Sequence, residues 1–226
     1  MSLFVGVEYS DGTIRNKLVA GQERAAIYLA NYIICAVGLV IAYTLAVLAA
    51  LALSAILFAP PACPVPILFA AFGTGLAMSL AYAGLYNLIA MVSASKTYTA
   101  ILCILLSFGL MIAATYHNNR LAQPEYIQQL APIMESMDKN TDVTVAVTED
   151  GGYGEMALET VPNPNYLTGA ARERVQFLYD LNPTGQALQL ASLEFIHPVR
   201  MVLYDLAIVL LACSGGVLLF HRKDIK

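Results

Sequence analysis

From Ala25 to Ser95 the chain carries no Asp, Glu, Lys or Arg. No feature of the sequence constrains its fold more. A soluble domain tolerates neither so long an uncharged run nor an overall charged fraction of 12%, about half the usual share. A lipid-embedded chain requires both, because charge is costly in hydrocarbon. The sequence is 58% hydrophobic, lacks Trp and has a mean hydropathy of +0.65. It therefore reads as an all-α polytopic membrane protein. Its expected form is four transmembrane helices plus a small α+β extracytoplasmic segment between the last two.

The four spans are expected at about Ala26–Phe58, Ile67–Val92, Thr97–Tyr116 and Met201–Phe220. Each is long enough for a hydrocarbon core of about 30 Å at 1.5 Å per residue. The first exceeds that length and must tilt, kink or begin in the interface. The uncharged, proline-rich stretch Pro60–Pro66 breaks spans one and two, and Ser93–Lys96 makes a tight turn between two and three. Small residues recur every four positions, as Ala42, Ala46, Ala50 and Ser54, and as Gly73, Ala77 and Ala81. Such stripes let helix backbones approach closely and are read as packing rather than as a pore.

Basic residues set the orientation. Arg15, Lys17, Arg24, Lys96, Arg222, Lys223 and Lys226 fall on one side of the four spans, which makes both termini cytoplasmic. The other side receives the Pro60 loop and the long segment from His117 to Pro198, which holds 11 acidic and 4 basic residues. The layout is thus residues 1–24 as a membrane-helix end followed by an interfacial helix, and 25–116 as three spans. Residues 117–200 form an acidic extracytoplasmic domain, and 201–226 form the last span with a basic tail.

The segment before the first full span is short and amphipathic. Asp11 or Thr13 can cap a helix. Ile14, Leu18, Gly21 and Ala25 share one face, and Gly21 offers a bend into the bilayer. Within the acidic domain, Gln123–Met137 reads as a helix, Thr141–Thr160 as a hairpin on its alternating valines, and PNPNY as a rigid loop. Ala170–Tyr179 and Thr184–Phe195 read as helices lying on the membrane surface, the second capped by Thr184. Asn31 and Asn87 can pair between helices or line a path, and Asp205 is expected to pair with Arg200 at the interface.

Known chemistry is not encoded. The chain has no GxxxxGK[ST] loop, no HExxH and no serine elbow, so no catalytic residue, cofactor site or metal site is expected and the chain reads as a non-enzyme. Cys35, Cys63, Cys103 and Cys213 are scattered singly, and the histidines lie far apart in sequence. Neither pattern makes a disulfide framework or metal centre. No basic patch with interleaved aromatics points to nucleic acid.

The stretch FVGVEYSDGTIRNKLVAGQERAAIYLANYI, the later PNPNYLTG with NPTGQ, and the terminal FHRKDIK together resemble the ABC-2 type permease family. These are membrane subunits of bacterial ABC exporters. The resemblance covers nearly the whole chain; against the six spans typical of the family, it implies that the first span and most of the second are absent here. It implies that a short cytoplasmic coupling helix docks on a separate ATPase subunit, with Asp11, Thr13, Arg15, Lys17, Gln22, Glu23 and Arg24 as the docking residues. It further implies a second permease copy or half as partner, a bacterial plasma-membrane location in a lipid bilayer, and ATP hydrolysis outside this chain. Its apolar walls read as ordinary lipid-compatible helices, which leaves drugs, lantibiotic-type peptides and lipids all open as substrates. The competing expectation is a non-transporting scaffold or sensor whose acidic outer domain binds a ligand.

Overall fold

The uncharged run folds as helices throughout its described length. The computed structural model describes residues 7–8, 11–57, 64–93, 95–130, 158–193 and 196–222. Four helices are long and apolar enough to cross a membrane: α2 (Arg24–Leu57), α3 (Val65–Ser93), α4 (Lys96–Leu121) and α7 (Pro198–His221). A short α1 (Thr13–Val19) precedes them. Between α4 and α7 lie β1 (Tyr126–Leu130), β2 (Leu158–Pro162), α5 (Gly169–Leu181) and α6 (Pro183–Ser192).

The four long helices alternate in direction. Their basic residues Arg24, Lys96 and Arg222 accordingly lie at one end of the bundle, here called the basic end. Most of their large side chains face outward; Phe69, for example, is 72% exposed and Leu211 71%. An outward apolar surface on every long helix is what a lipid solvent calls for. Beside a few large side chains such as Tyr28, Met91 and Phe220, the interior holds many small and polar groups, because lipid supplies no hydrophobic force between helices and close packing has to replace it.

Helix α3 is central and packs chiefly against α7, with α2 covering both. The expected stripe on α3 is buried at Ala77 and Ala81, though Gly73 is exposed; the stripe on α2 faces outward at Ala42, Ala46 and Ala50. Helices α3 and α7 approach closely at Gly84, where an added Cβ would lie 3.3 Å from Ala212 Cβ on α7. One turn on, a Cβ at Gly216 would collide with the Tyr28 hydroxyl. That hydroxyl is fixed, since it donates to the Ala212 carbonyl at 2.9 Å in a buried position.

Two elements of the outer segment differ from expectation. The described part of Gln123–Met137 is strand β1 rather than helix. It pairs antiparallel with β2, Tyr126 opposite Pro162 and Leu130 opposite Leu158. Pro124 halts α4's direction of growth, and an available partner strand then outweighs the weak helix preference of YIQQL. The expected hairpin Thr141–Thr160 lies outside the described residues except for 158–160, which belong to β2. The Pro60 loop is likewise outside them as far as residue 63.

The other difference concerns α5 and α6. They do not lie flat on a surface. They form a hairpin whose tip descends between the spans, with α6 against α3 and α4. Asn182 Nδ2 at the tip donates to the Leu110 carbonyl at 2.8 Å, about 16 Å along α4 from its Leu121 end. Thr184 meets the Tyr82 hydroxyl of α3, well over halfway down that helix from Val65. The sequence NPTGQ makes this turn. Asn182 caps α6 by accepting from the Thr184 amide at 3.0 Å, so the cap is Asn182 rather than Thr184. Pro183 occupies the first helical turn, where its missing N–H costs nothing. Gly185 leaves room for the Tyr179 carbonyl, which any Cβ would strike.

Candidate functional site

At the basic end, α1 is keyed into the bundle. Ile14 is fully buried, in a cluster with Ile27, Tyr28, Ala90, Met91 and Phe220. Leu18 packs against the same cluster. The shared face read from Ile14 and Leu18 is therefore the buried one. No side chain caps α1; its N-cap is Gly12 at φ 70°, so neither Asp11 nor Thr13 plays that role. The bend at Gly21 is present, with φ 84°, a conformation that glycine adopts without strain.

A polar cluster surrounds this joint. Lys17 Nζ lies 2.8 Å from Glu8 Oε1, and Asn31 Nδ2 of α2 donates to Glu8 Oε2 at 3.1 Å. One carboxylate thus ties α1 to the first span. Asn31 also contacts the Met91 sulfur of α3 at 3.7 Å. Asn87 donates to the Tyr28 carbonyl at 3.5 Å. Both asparagines bridge helices, though not to each other. The Arg24 guanidinium donates to the Phe220 and His221 carbonyls at 3.1 Å each, satisfying acceptors that the end of α7 leaves open.

The seven docking candidates therefore divide. Asp11, Arg15, Gln22 and Glu23 are exposed; Thr13, Lys17 and Arg24 are half-buried. Lys17 and Arg24 are committed to internal contacts, and the exposed charges are those of Asp11, Arg15 and Glu23. The role of Glu8 as the hub was not visible in the spacing of residues.

At the hairpin tip lies a second polar cluster. Asp180, Gln186 and Asp205 are each 0% exposed. Gln186 Nε2 donates to the Asp180 backbone carbonyl at 2.9 Å and to Asp205 Oδ1 at 3.1 Å. Asp180 Oδ1 accepts from Gln176 at 2.7 Å and Gln189 at 3.1 Å. Arg200 does not pair with Asp205. It is exposed and donates to the Tyr204 hydroxyl at 3.2 Å, while Asp205 points inward, about 10 Å along α7 from Pro198. On α5, Tyr179 donates to Asn118 Oδ1 at 3.1 Å; burial, with the Asp180 charge beside it, raises its phenol above the ordinary value.

Between α2 and α3 an apolar groove of about 430 Å³ is lined by Tyr43, Thr44, Leu48, Phe69 and Phe72, and reaches Leu190 of α6. Tyr43 stacks on Phe72 with ring centroids 5.8 Å apart. Among the described residues no group of three or more His, Cys, Asp and Glu converges to hold a metal. Comparison with protein-family models, with curated proteins and with solved structures found no match to this chain.

Proposed function

We propose that the chain is a membrane subunit of an ABC-2 type exporter, with α1 as the element that receives force from a separate ATPase. The observation that carries this reading is the joint of α1. A short charged helix would be free to move if it were only a membrane anchor. Here it is locked to α2 by the Lys17–Glu8–Asn31 chain and to α3 and α7 through Ile14. The adjoining Arg24 grips the end of α7. A push on Arg15 or Glu23 would reach three spans without loss in a flexible link. In this reading both termini are cytoplasmic in a bacterial cell membrane, a second permease copy or half completes the path, and the chain itself hydrolyses no ATP.

Reversing the outer charges tests the proposal while leaving the joint intact. The change is Arg15→Glu with Glu23→Arg, made in the chain co-expressed with an ABC ATPase subunit that co-purifies with the wild-type chain. Surface changes of this kind cost within about 0.5 kcal/mol of folding, whereas mismatched charges at an interface cost several. The expected result is correct insertion with loss of co-purified ATPase. Retention equal to wild type would refute docking through this face and favour the scaffold reading.

A further inference from the structure

The cluster at the hairpin tip has more acceptors than donors. Both N–H groups of the Gln186 amide are used, one on Asp180 and one on Asp205. Three buried oxygens then have no donor among the described residues: Gln186 Oε1, Asp205 Oδ2 and Asp180 Oδ2. They come from three helices, α6, α7 and α5. Asp205 receives one neutral hydrogen bond and no ion pair, within a segment that crosses the membrane. An ionised carboxylate in that position is expensive, and an unpaired acid inside a membrane bundle marks a functional site by default.

The groups facing Asp205 do not offset its charge. From α3 comes Tyr82, whose hydroxyl is shared with Thr184. Among the described residues, the other ionisable side chains near the site are Asp180 and Tyr179 on α5; α6 has no ionisable residue. On α7, Arg200 and Tyr204 face outward and bond each other. Helix α4 meets the hairpin through the Asn118 amide and the Leu110 carbonyl. The field of Arg200 reaches Asp180 and Glu173 on α5.

We propose that Asp205, held by Gln186 at the tip of the α5–α6 hairpin, is a proton-binding site whose occupancy seats the hairpin in the bundle. A proton on Asp205 supplies one of the donors that the cluster lacks, and it removes the charge that burial penalises. Withdrawing the hairpin removes the Gln186 contact and opens Asp205 to water, where it ionises. Raising the pH therefore favours the withdrawn hairpin. This holds whether or not the chain transports anything.

The test is infrared spectroscopy of the purified chain in lipid nanodiscs, with labelled aspartate, titrated from about pH 5 to about pH 9. The expected result is a protonated aspartate carbonyl band at neutral pH that is absent from Asp205→Asn. Asparagine keeps the acceptor for Gln186 and adds N–H donors where the proton would sit, so this variant retains the cluster. No such band at any pH in the wild-type chain would overturn the proposal, and that readout does not depend on the variant folding. A band that persists in Asp205→Asn would also overturn it. So would a band abolished by sodium at constant pH, which would give the site to a metal cation. A second readout is maleimide labelling of Ala187→Cys in a cysteine-free background. Labelling should rise with pH in the Asp205 form and stay low and flat with Asn at 205. A rise that is the same in both would mean that Asp205 does not seat the hairpin.

Discussion

Substituting Ile14 by Ala should release α1 without unfolding the spans. Seven residues are too few for an isolated helix to persist in water, so α1 holds its shape through what it buries. Ile14 is fully buried, and the change removes three carbons. At about 0.8 kcal/mol per carbon the transfer loss is about 2.4 kcal/mol. The remaining cavity, bounded by Tyr28, Met91 and Phe220, brings the total to about 3–4 kcal/mol. The spans lose little, because their mutual contacts do not pass through Ile14. The loss should therefore appear as local opening. Hydrogen exchange of the α1 amides, read by mass spectrometry in nanodiscs, should accelerate roughly 140- to 700-fold at about 1.4 kcal/mol per decade. Exchange in α3 and α7 should not change. Unaltered exchange in α1 would show that Ile14 does not hold it. Equal acceleration in the spans would show that α1 and the bundle are one cooperative unit.

Other consequences follow from particular contacts. Gly216→Leu should destabilise the purified protein by about 1–3 kcal/mol or more, because the Tyr28 hydroxyl occupies its Cβ position; Gly215→Leu, with nothing within 4 Å, should be tolerated in the same thermal-unfolding assay. Asn182→Ala removes the cap of α6 and the Leu110 bond, and should cost about 1–2 kcal/mol, read as increased labelling of Ala187→Cys. Linkage fixes the sign of the pH effect at the hairpin: the seated state holds a proton that the withdrawn state has lost. Seating therefore weakens as pH rises, by at most about 1.4 kcal/mol per pH unit for one proton, and Asp205→Asn should remove that slope.

The spans were legible because a membrane leaves a coarse signature. The stretch Ala25–Ser95 contains no charge, and helical length alone divides it at the prolines. The bend at Gly21 was legible for a local reason, since glycine there takes a positive φ. The hairpin was not. Residues Gly169–Ser192 are amphipathic, and amphipathicity shows that one face is buried without showing in what. Polar side chains such as Gln186 and Asn182 read as surface groups, yet here they are buried against other polar groups in the middle of a bundle. Strand β1 was missed because its partner lies beyond residue 157, and a strand with a distant partner has little local signal. Asp205 was matched to Arg200 by proximity in sequence, but five residues along a helix place two side chains on different faces. Glu8 and Lys17 could not be paired from spacing, because their contact depends on how α1 folds back.

The coupling role proposed for α1 is tested most directly by a photo-crosslinker placed at Arg15 and, in a separate chain, at exposed Leu188 of the hairpin. Both would be expressed in membranes with the ATPase subunit. The expected result is a crosslink to the ATPase from position 15 and none from position 188, because α1 lies at the basic end of the bundle and the hairpin enters it from the other end. No crosslink from position 15, or a crosslink from position 188, would contradict it.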